Sequence, residues 1–278
     1  MPAKKKKPKI YSHSRLSTFE QCPLKFKFRY IDKIIPEIRA TIESHLGKIV
    51  HDTLEWLYTQ VKKGKIPSVE EIIIHYTEKW EEDYNEDIPI IKKGLTVKDY
   101  FNKGVEFIIN YYTKHQPFED NTLETEKKIL IELDNKGEYK IQGFIDRLSH
   151  DVEKDEYGIH DYKTANNLPM QKQVENDRQL ALYALAIKEL FGMDKEVCLI
   201  WHYLAHDKKI CSRRTNEELQ NLKEETLKLI KQIEATITFP SNKSILCNWC
   251  EYKKDVCQVW NKNVEEKKET KQVELDIW

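Results

Sequence analysis

No apolar run in this sequence approaches the roughly 20 residues that a bilayer-spanning helix needs, which argues against a membrane span. The basic N-terminal stretch lacks the apolar segment of a secretory signal, so a cytoplasmic protein is expected. There is no G-x-x-x-x-G-K-[ST] phosphate loop, so the chain is not by itself an ATPase or a helicase. Charge of one sign is also missing. The 46 Lys and Arg nearly match the 47 Asp and Glu, for a formal net charge of -1. That balance neither advertises nor excludes nucleic-acid binding, and the distribution says more. Residues 1–33 hold ten Lys or Arg against two acids, whereas residues 70–87 hold eight acids and one Lys.

What is present suffices for one substantial domain, or a core with a smaller lobe: 278 residues, 40% hydrophobic. Six cysteines in a reducing compartment are poor disulfide candidates and better metal or cluster ligands. Residues 1–10 read as a disordered basic tail. In the following segment Phe26, Phe28 and Tyr30 interleave with Lys25, Lys27 and Arg29. Such a mixture suits a backbone-contacting surface, and equally a basic helix covering a core. Leu46, Val50, Leu54, Leu57 and Val61 recur at helical spacing over 43–63, and further helices are expected over 69–87 and 96–115. Strands follow at 126–133, 139–148 and 157–162, then a helix over 172–191, an apolar strand over 197–204, an edge at 209–211 and a last helix over 215–236. This order predicts an α/β fold, with a mixed central sheet flanked by helices and a helical lobe ahead of it.

The chemistry gathers between Gly143 and Thr164. Asp146 ends one apolar-rich run and Asp161 follows another, with Lys163 two residues on and therefore on the same strand face. Two carboxylates and an ammonium on adjacent strands suit metal-dependent hydrolysis, and solvated hairpin ends are the plainer reading. Glu126, at the head of the first strand, is a further acid within possible reach. His51 lies at the margin of an apolar helical stripe, either as a satisfied, partly buried imidazole or as a metal ligand, with Glu55 one turn later. Gln179 and Tyr183, spaced i,i+4 beside Arg178, share a helix face. They can hold a phosphate oxygen, or simply pack. Cys247, Cys250 and Cys257 suggest a metal site that needs a fourth ligand, and Cys22 is the best candidate. Joining them would close a loop of roughly 225 residues. Cys198 reads as core packing, and Cys211 is ambiguous.

Taken in order, these motifs resemble the PD-(D/E)XK nuclease superfamily, specifically its RecB-like branch with an iron–sulfur cluster, which includes CRISPR-associated adaptation nucleases and AddB-type nuclease domains. The resemblance runs from about Tyr11 to Cys257. It rests on Cys22-Pro23, the G-x-x-x-H of Gly47 to His51, the G-x-x-D of Gly143 to Asp146, the D-x-K of Asp161 to Lys163, the Q-x-x-x-Y of Gln179 to Tyr183, and the C-x-x-C-x6-C of Cys247, Cys250 and Cys257. It implies a restriction-endonuclease-like core with Mg2+ or Mn2+ on His51, Asp146 and Asp161. Lys163 would orient the attacking water, while Gln179 and Tyr183 would support the substrate phosphate. Cys22, Cys247, Cys250 and Cys257 would carry a 4Fe-4S cluster that clips the two ends of the chain together, with zinc as the other occupant. One nuclease domain over 11–257 is then expected: a cluster-anchoring segment (11–35), a helical lobe (43–120), a catalytic core (121–236) and a cysteine segment (240–257), followed by a tail (258–278). The implied activity is metal-dependent DNA hydrolysis, as an exonuclease on single strands or duplex ends in recombination, repair or CRISPR adaptation, with a helicase or adaptation protein as a separate partner. Arg15, Arg29, Arg147 and Arg178 are candidate contacts to the DNA backbone. A non-catalytic nucleic-acid-binding scaffold and a zinc-containing RNA-processing nuclease are the competing readings.

Overall fold

The structure, a computed structural model, describes residues 7–36 and 40–261. Most of the two expected tails therefore lies outside the described residues. Lys9 and Ile10, assigned above to the N-terminal tail, instead open strand β1 (Lys9–Ser12). β1 joins β2 (Thr122–Glu132), β3 (Tyr139–Asp151), β4 (Glu156–Lys163), β5 (Glu196–Tyr203) and β6 (Lys208–Ser212) in one mixed sheet. Short connections make β2/β3, β3/β4 and β5/β6 antiparallel, while β1/β3 and β4/β5 run parallel.

The arrangement around β3 makes the site. β2 covers one edge of β3 from Lys140 to Ser149. The other edge is shared by two strands in succession: β1 registers with Tyr139 to Gln142, and β4 with Arg147 to Asp151. Between them, residues 143–146 have no strand on that edge among the described residues. This interruption is a notch in the sheet, and Asp146 stands at its rim.

The parallel step from β4 to β5 needs a crossover, supplied by α6 (Gln171–Glu175) and α7 (Arg178–Phe191). The single helix expected over 172–191 is thus divided. Asp177 turns out of the helix and its side chain accepts from the Leu180 N–H, starting α7 afresh. The N-terminal helices are α1 (His13–Gln21) and α2 (Pro23–Phe26), the latter running into a π-helical turn, Lys27–Ile31. α3 (Ile42–Lys62), α4 (Val69–Asp83) and α5 (Val97–His115) follow, and α8 (Asn216–Ala235) comes after β6. α4, α5 and α8 each begin with a reciprocal capping box, from Ser68, Thr96 and Thr215 to the acid three residues on, which fixes where each helix starts.

The two faces of the sheet bury different neighbours. Ile141, Ile159, Leu199 and Trp201 pack with Leu180 and Ile187 of α7 and Ile230 of α8. Tyr162 belongs instead with Leu54, Tyr58, Tyr76 and Ile108, a cluster built by α3, α4 and α5. Period-two alternation along β4 therefore sends Tyr157 and Ile159 to one side and Tyr162 to the other.

Candidate active site

At the notch the β3–β4 ladder has its last registered pair, Arg147 with His160. One step further the Tyr162 N–H donates to Asp146 Oδ2 at 3.0 Å, so a side chain takes over where the strands part. Asp161 lies beside Asp146 and is 5% exposed. Its Oδ2 is buried without a hydrogen-bond partner among the described residues. Lys163 Nζ stands 2.7 Å from that oxygen, an ion-pair distance at an angle that makes no hydrogen bond. The expected D-x-K juxtaposition is therefore present. Burial pushes the Asp161 carboxyl up to about 6, with Lys163 opposing and the Asp146 charge adding to the rise. For Lys163 burial works against the ammonium, but the adjacent Asp161 outweighs it and holds Lys163 above its ordinary value. Lys163 is thus a cation here, not a proton acceptor.

α3 brings His51 to the same place. Its Nδ1 is 3.3 Å from Asp146 Oδ2 and its Nε2 is 2.7 Å from the Tyr162 carbonyl oxygen. A carbonyl only accepts, so Nε2 carries the proton in that contact. Two glycines explain how the helices come so close. A Cβ on Gly47 would stand 3.2 Å from Thr164 Oγ1, at the end of β4. A Cβ on Gly143 would lie 2.4 Å from the Tyr183 ring, so only glycine there lets α7 lay Tyr183 across the notch. Gln179 Nε2 donates to Tyr183 Oη at 3.3 Å, and Tyr183 is buried. The G-x-x-x-H, G-x-x-D and Q-x-x-x-Y spacings thus meet at one point.

Sequence reasoning undervalued Glu126. The strand begins four residues earlier than expected, which puts Glu126 inside β2, between the pairs Thr125–Arg147 and Lys127–Ile145 and so opposite Asp146. Its φ of 46° is left-handed, a conformation that costs a non-glycine residue about 1–3 kcal/mol. Although the residue as a whole is exposed, its carboxyl is pushed up to about 7, first by burial and then by the charges of Asp146 and Glu55. Burial also raises Asp52 and Glu55 of α3. The only sequence signal was an acid near the head of a strand.

Of the four arginines expected to contact DNA, one is out of reach. Arg147, named above as a backbone contact, is 0% exposed and cannot reach a bound strand. It points between the sheet and α3, because the apolar face of β3 skips from Ile145 to Leu148 and turns Arg147 away. Arg178 is held by both oxygens of Glu20, at 3.0 and 2.5 Å, and Arg15 lies 4.3 Å from the centre of the Tyr11 ring. Arg29 is half-exposed near Glu251.

Cys22, Cys247, Cys250 and Cys257 line one pocket beside Leu24 and Phe28. The Asn242 N–H donates to Cys22 Sγ at 3.5 Å, and burial raises the Cys250 thiol. Cys198 is buried, as expected, and Cys211 is exposed. Among the described residues no three or more His, Cys, Asp or Glu form a group set to hold a metal ion. Each expected ligand set converges on one region without closing into such a group.

The family model of the PD-(D/E)XK nuclease superfamily matches residues 10–258, and the chain belongs to that superfamily. Two solved structures are similar to it. One is a candidate exonuclease from Eubacterium rectale, 11% identical, with 87% of this chain and 88% of that chain covered and a TM-score of 0.47. The other is SSO0001, 15% identical, with 79% and 96% covered and a TM-score of 0.37. No curated protein sequence matches. Membership of a nuclease superfamily is consistent with hydrolase activity on nucleic acid. Among the described residues no helix is long and apolar enough to cross a membrane.

Proposed function

We propose that the chain is a divalent-metal-dependent DNA nuclease of the RecB-like branch, cutting phosphodiesters at single-stranded or duplex ends. The observation that carries this reading is the convergence of His51, Asp146 and Asp161 at the notch, where the buried Asp161 carboxylate is ion-paired with Lys163 and raised by the Asp146 charge. One ammonium offsets only part of the negative charge of two adjoining carboxylates, and a divalent cation would offset the rest. His51, Asp146 and Asp161 would hold Mg2+ or Mn2+. With Nε2 bound to the Tyr162 carbonyl, His51 turns Nδ1 towards Asp146, the orientation that a backbone acceptor commonly gives a ligating imidazole. The bound ion would supply Lewis-acid charge at the scissile phosphate and a more acidic water. Lys163, kept protonated by Asp161, orients that water and offsets negative charge as it builds. Gln179 and Tyr183 lie over the notch, where they can donate to a phosphate oxygen.

The shared thiol pocket supports a 4Fe-4S cluster on Cys22, Cys247, Cys250 and Cys257. Four thiolates also suit one tetrahedral zinc, which is the second choice. A helicase or adaptation protein that delivers DNA ends is the proposed partner.

End-labelled single-stranded DNA with Mn2+ tests the reading. Asp161→Ala should lower cleavage about 1000-fold, equivalent to about 4 kcal/mol of transition-state stabilisation, while DNA binding persists. Undiminished cleavage by that variant would sink the assignment. Circular single strands should resist degradation, and their rapid loss would instead make the activity endonucleolytic.

A further inference from the structure

Arg147 is among the largest fully buried side chains of the protein, and the chemistry proposed above does not use it. Every arm of its guanidinium is engaged. Nε donates to Tyr162 Oη at 3.1 Å. Nη1 donates to Asp120 Oδ2 at 2.5 Å and to Thr122 Oγ1 at 3.1 Å. Nη2 donates to His160 Nδ1 at 2.7 Å, and the group lies 4.0 Å from the centre of the Tyr58 ring. Arginine never accepts, so His160 Nδ1 must be bare and its Nε2–H faces Ser149 Oγ at 2.9 Å. His160 is therefore neutral and committed to this arrangement.

The network ends on Tyr162, the residue between Asp161 and Lys163. Its hydroxyl is held by Arg147 and lies 3.4 Å from Tyr111 Oη, which in turn contacts Tyr58 Oη at 2.7 Å. Its own peptide faces the notch. The N–H donates to Asp146 Oδ2, the C=O accepts from His51 Nε2, and the ring meets the His51 ring edge-on at 5.8 Å. A side chain clamped between β4 and α3 thereby fixes the backbone of the residue whose N–H and C=O orient two candidate ligands.

We propose that Arg147 is a positioning residue: acting through Tyr162, it holds His51, Asp146 and the D-x-K strand in the geometry that receives the divalent ion. This rests on the nuclease reading only for its consequence in catalysis, because ion binding can be measured without DNA. A guanidinium differs here from an apolar group of like volume, which often fills a buried ionic site with no loss of stability. It also differs from lysine, whose single ammonium cannot span four acceptors.

The test compares Arg147→Met, Arg147→Lys and Tyr162→Phe with the parent protein. Mn2+ binding is followed by titration calorimetry, thermal unfolding by circular dichroism, and kcat and KM on single-stranded DNA. Arg147→Met should weaken Mn2+ binding about 10–100-fold, the usual effect of losing support behind a ligand, with Arg147→Lys in between. kcat should fall in step, with the KM for DNA within about twofold of the parent, since Arg147 touches no substrate. Parental Mn2+ affinity in a folded Arg147→Met variant would overturn the proposal. If that variant does not fold, Tyr162→Phe decides, since it removes only the clamped hydroxyl: weaker Mn2+ binding supports the proposal, and unchanged binding overturns it. If the parent binds Mn2+ but cuts no DNA, the nuclease reading fails while the positioning claim is still judged by the calorimetry.

Discussion

At the notch, Asp146 and His51 are oriented by the backbone of one residue, Tyr162, whose side chain is clamped by Arg147, and α3 and α7 close in through two glycines. The cysteine pocket has far less of its own. Its thiols come from the end of α1 and from a short 3-10 turn, Ile245–Trp249, with the residues after it. Asn242 and the Tyr252 hydroxyl, which donates to the Ile34 carbonyl at 3.0 Å, tie that segment to the N-terminal one. Both regions are candidates for inorganic ions, yet only the first is shaped in advance by buried hydrogen bonds. On the proposed reading, an ion at the notch would serve chemistry, whereas a group bound at the thiols would contribute folding energy.

Serine at Cys250 is the strongest challenge to that contrast. It should release the bound group and lower the melting temperature by roughly 5–10 °C, about 3–6 kcal/mol for a chain of this size. Asp146→Asn should move it by less than about 2 °C. Equal shifts in a thermal scan would erase the distinction. Chelation should divide the regions in the same way: removing divalent ions stops cleavage reversibly with the fold intact, and stripping the thiol-bound group loosens the N- and C-terminal segments to protease.

Histidine burial on the Arg147 side of the sheet sets the acid limit. Burial holds His160 and His202 well below 6.5 and His115 at about 4. These groups stay neutral in the fold while the unfolded chain takes up protons near 6.5. Their stabilising contribution is present above pH 6.5 and lost as pH falls from there towards 4. The urea midpoint should accordingly drop between pH 7 and pH 5, and His115→Asn should flatten the early part of that fall. Asp161 and Glu126 act in the opposite sense. Their raised values, about 6 and about 7, mean that their ionisation costs stability as pH rises to 7. The smallest effect follows from this. Glu126→Gln should be slightly more stable than the parent at pH 8 by urea unfolding, with the gain gone below about pH 4.5, where Glu is protonated in both states. A loss of stability at pH 8 would mean that Glu126 is held by a favourable partner instead of being repelled by Asp146.

Periodicity located the long elements well, because apolar spacing over ten or more residues reports burial directly. α3, α5 and α8 begin and end within about two residues of expectation. Short-range chemistry was harder to read. The break at Asp177 depends on one side-chain cap, and the opening of β2 at Thr122 depends on pairing with a strand more than ten residues away. Arg147 was misplaced for a similar reason: its burial depends on α3 packing over the sheet, which no local pattern reports.

By itself the sequence determined which side chains were available for chemistry and the local geometry of neighbours, such as the shared face of Asp161 and Lys163, because residue spacing on a strand or helix is a fixed property of the backbone. The tertiary structure alone decided that β1 and β4 share one edge of β3 and leave a notch between them. It also decided that Glu126 faces Asp146 and that Arg147 is buried as a clamp on Tyr162. Those outcomes depend on strand order, register and the approach of packed helices, which are set by contacts between residues far apart in the chain.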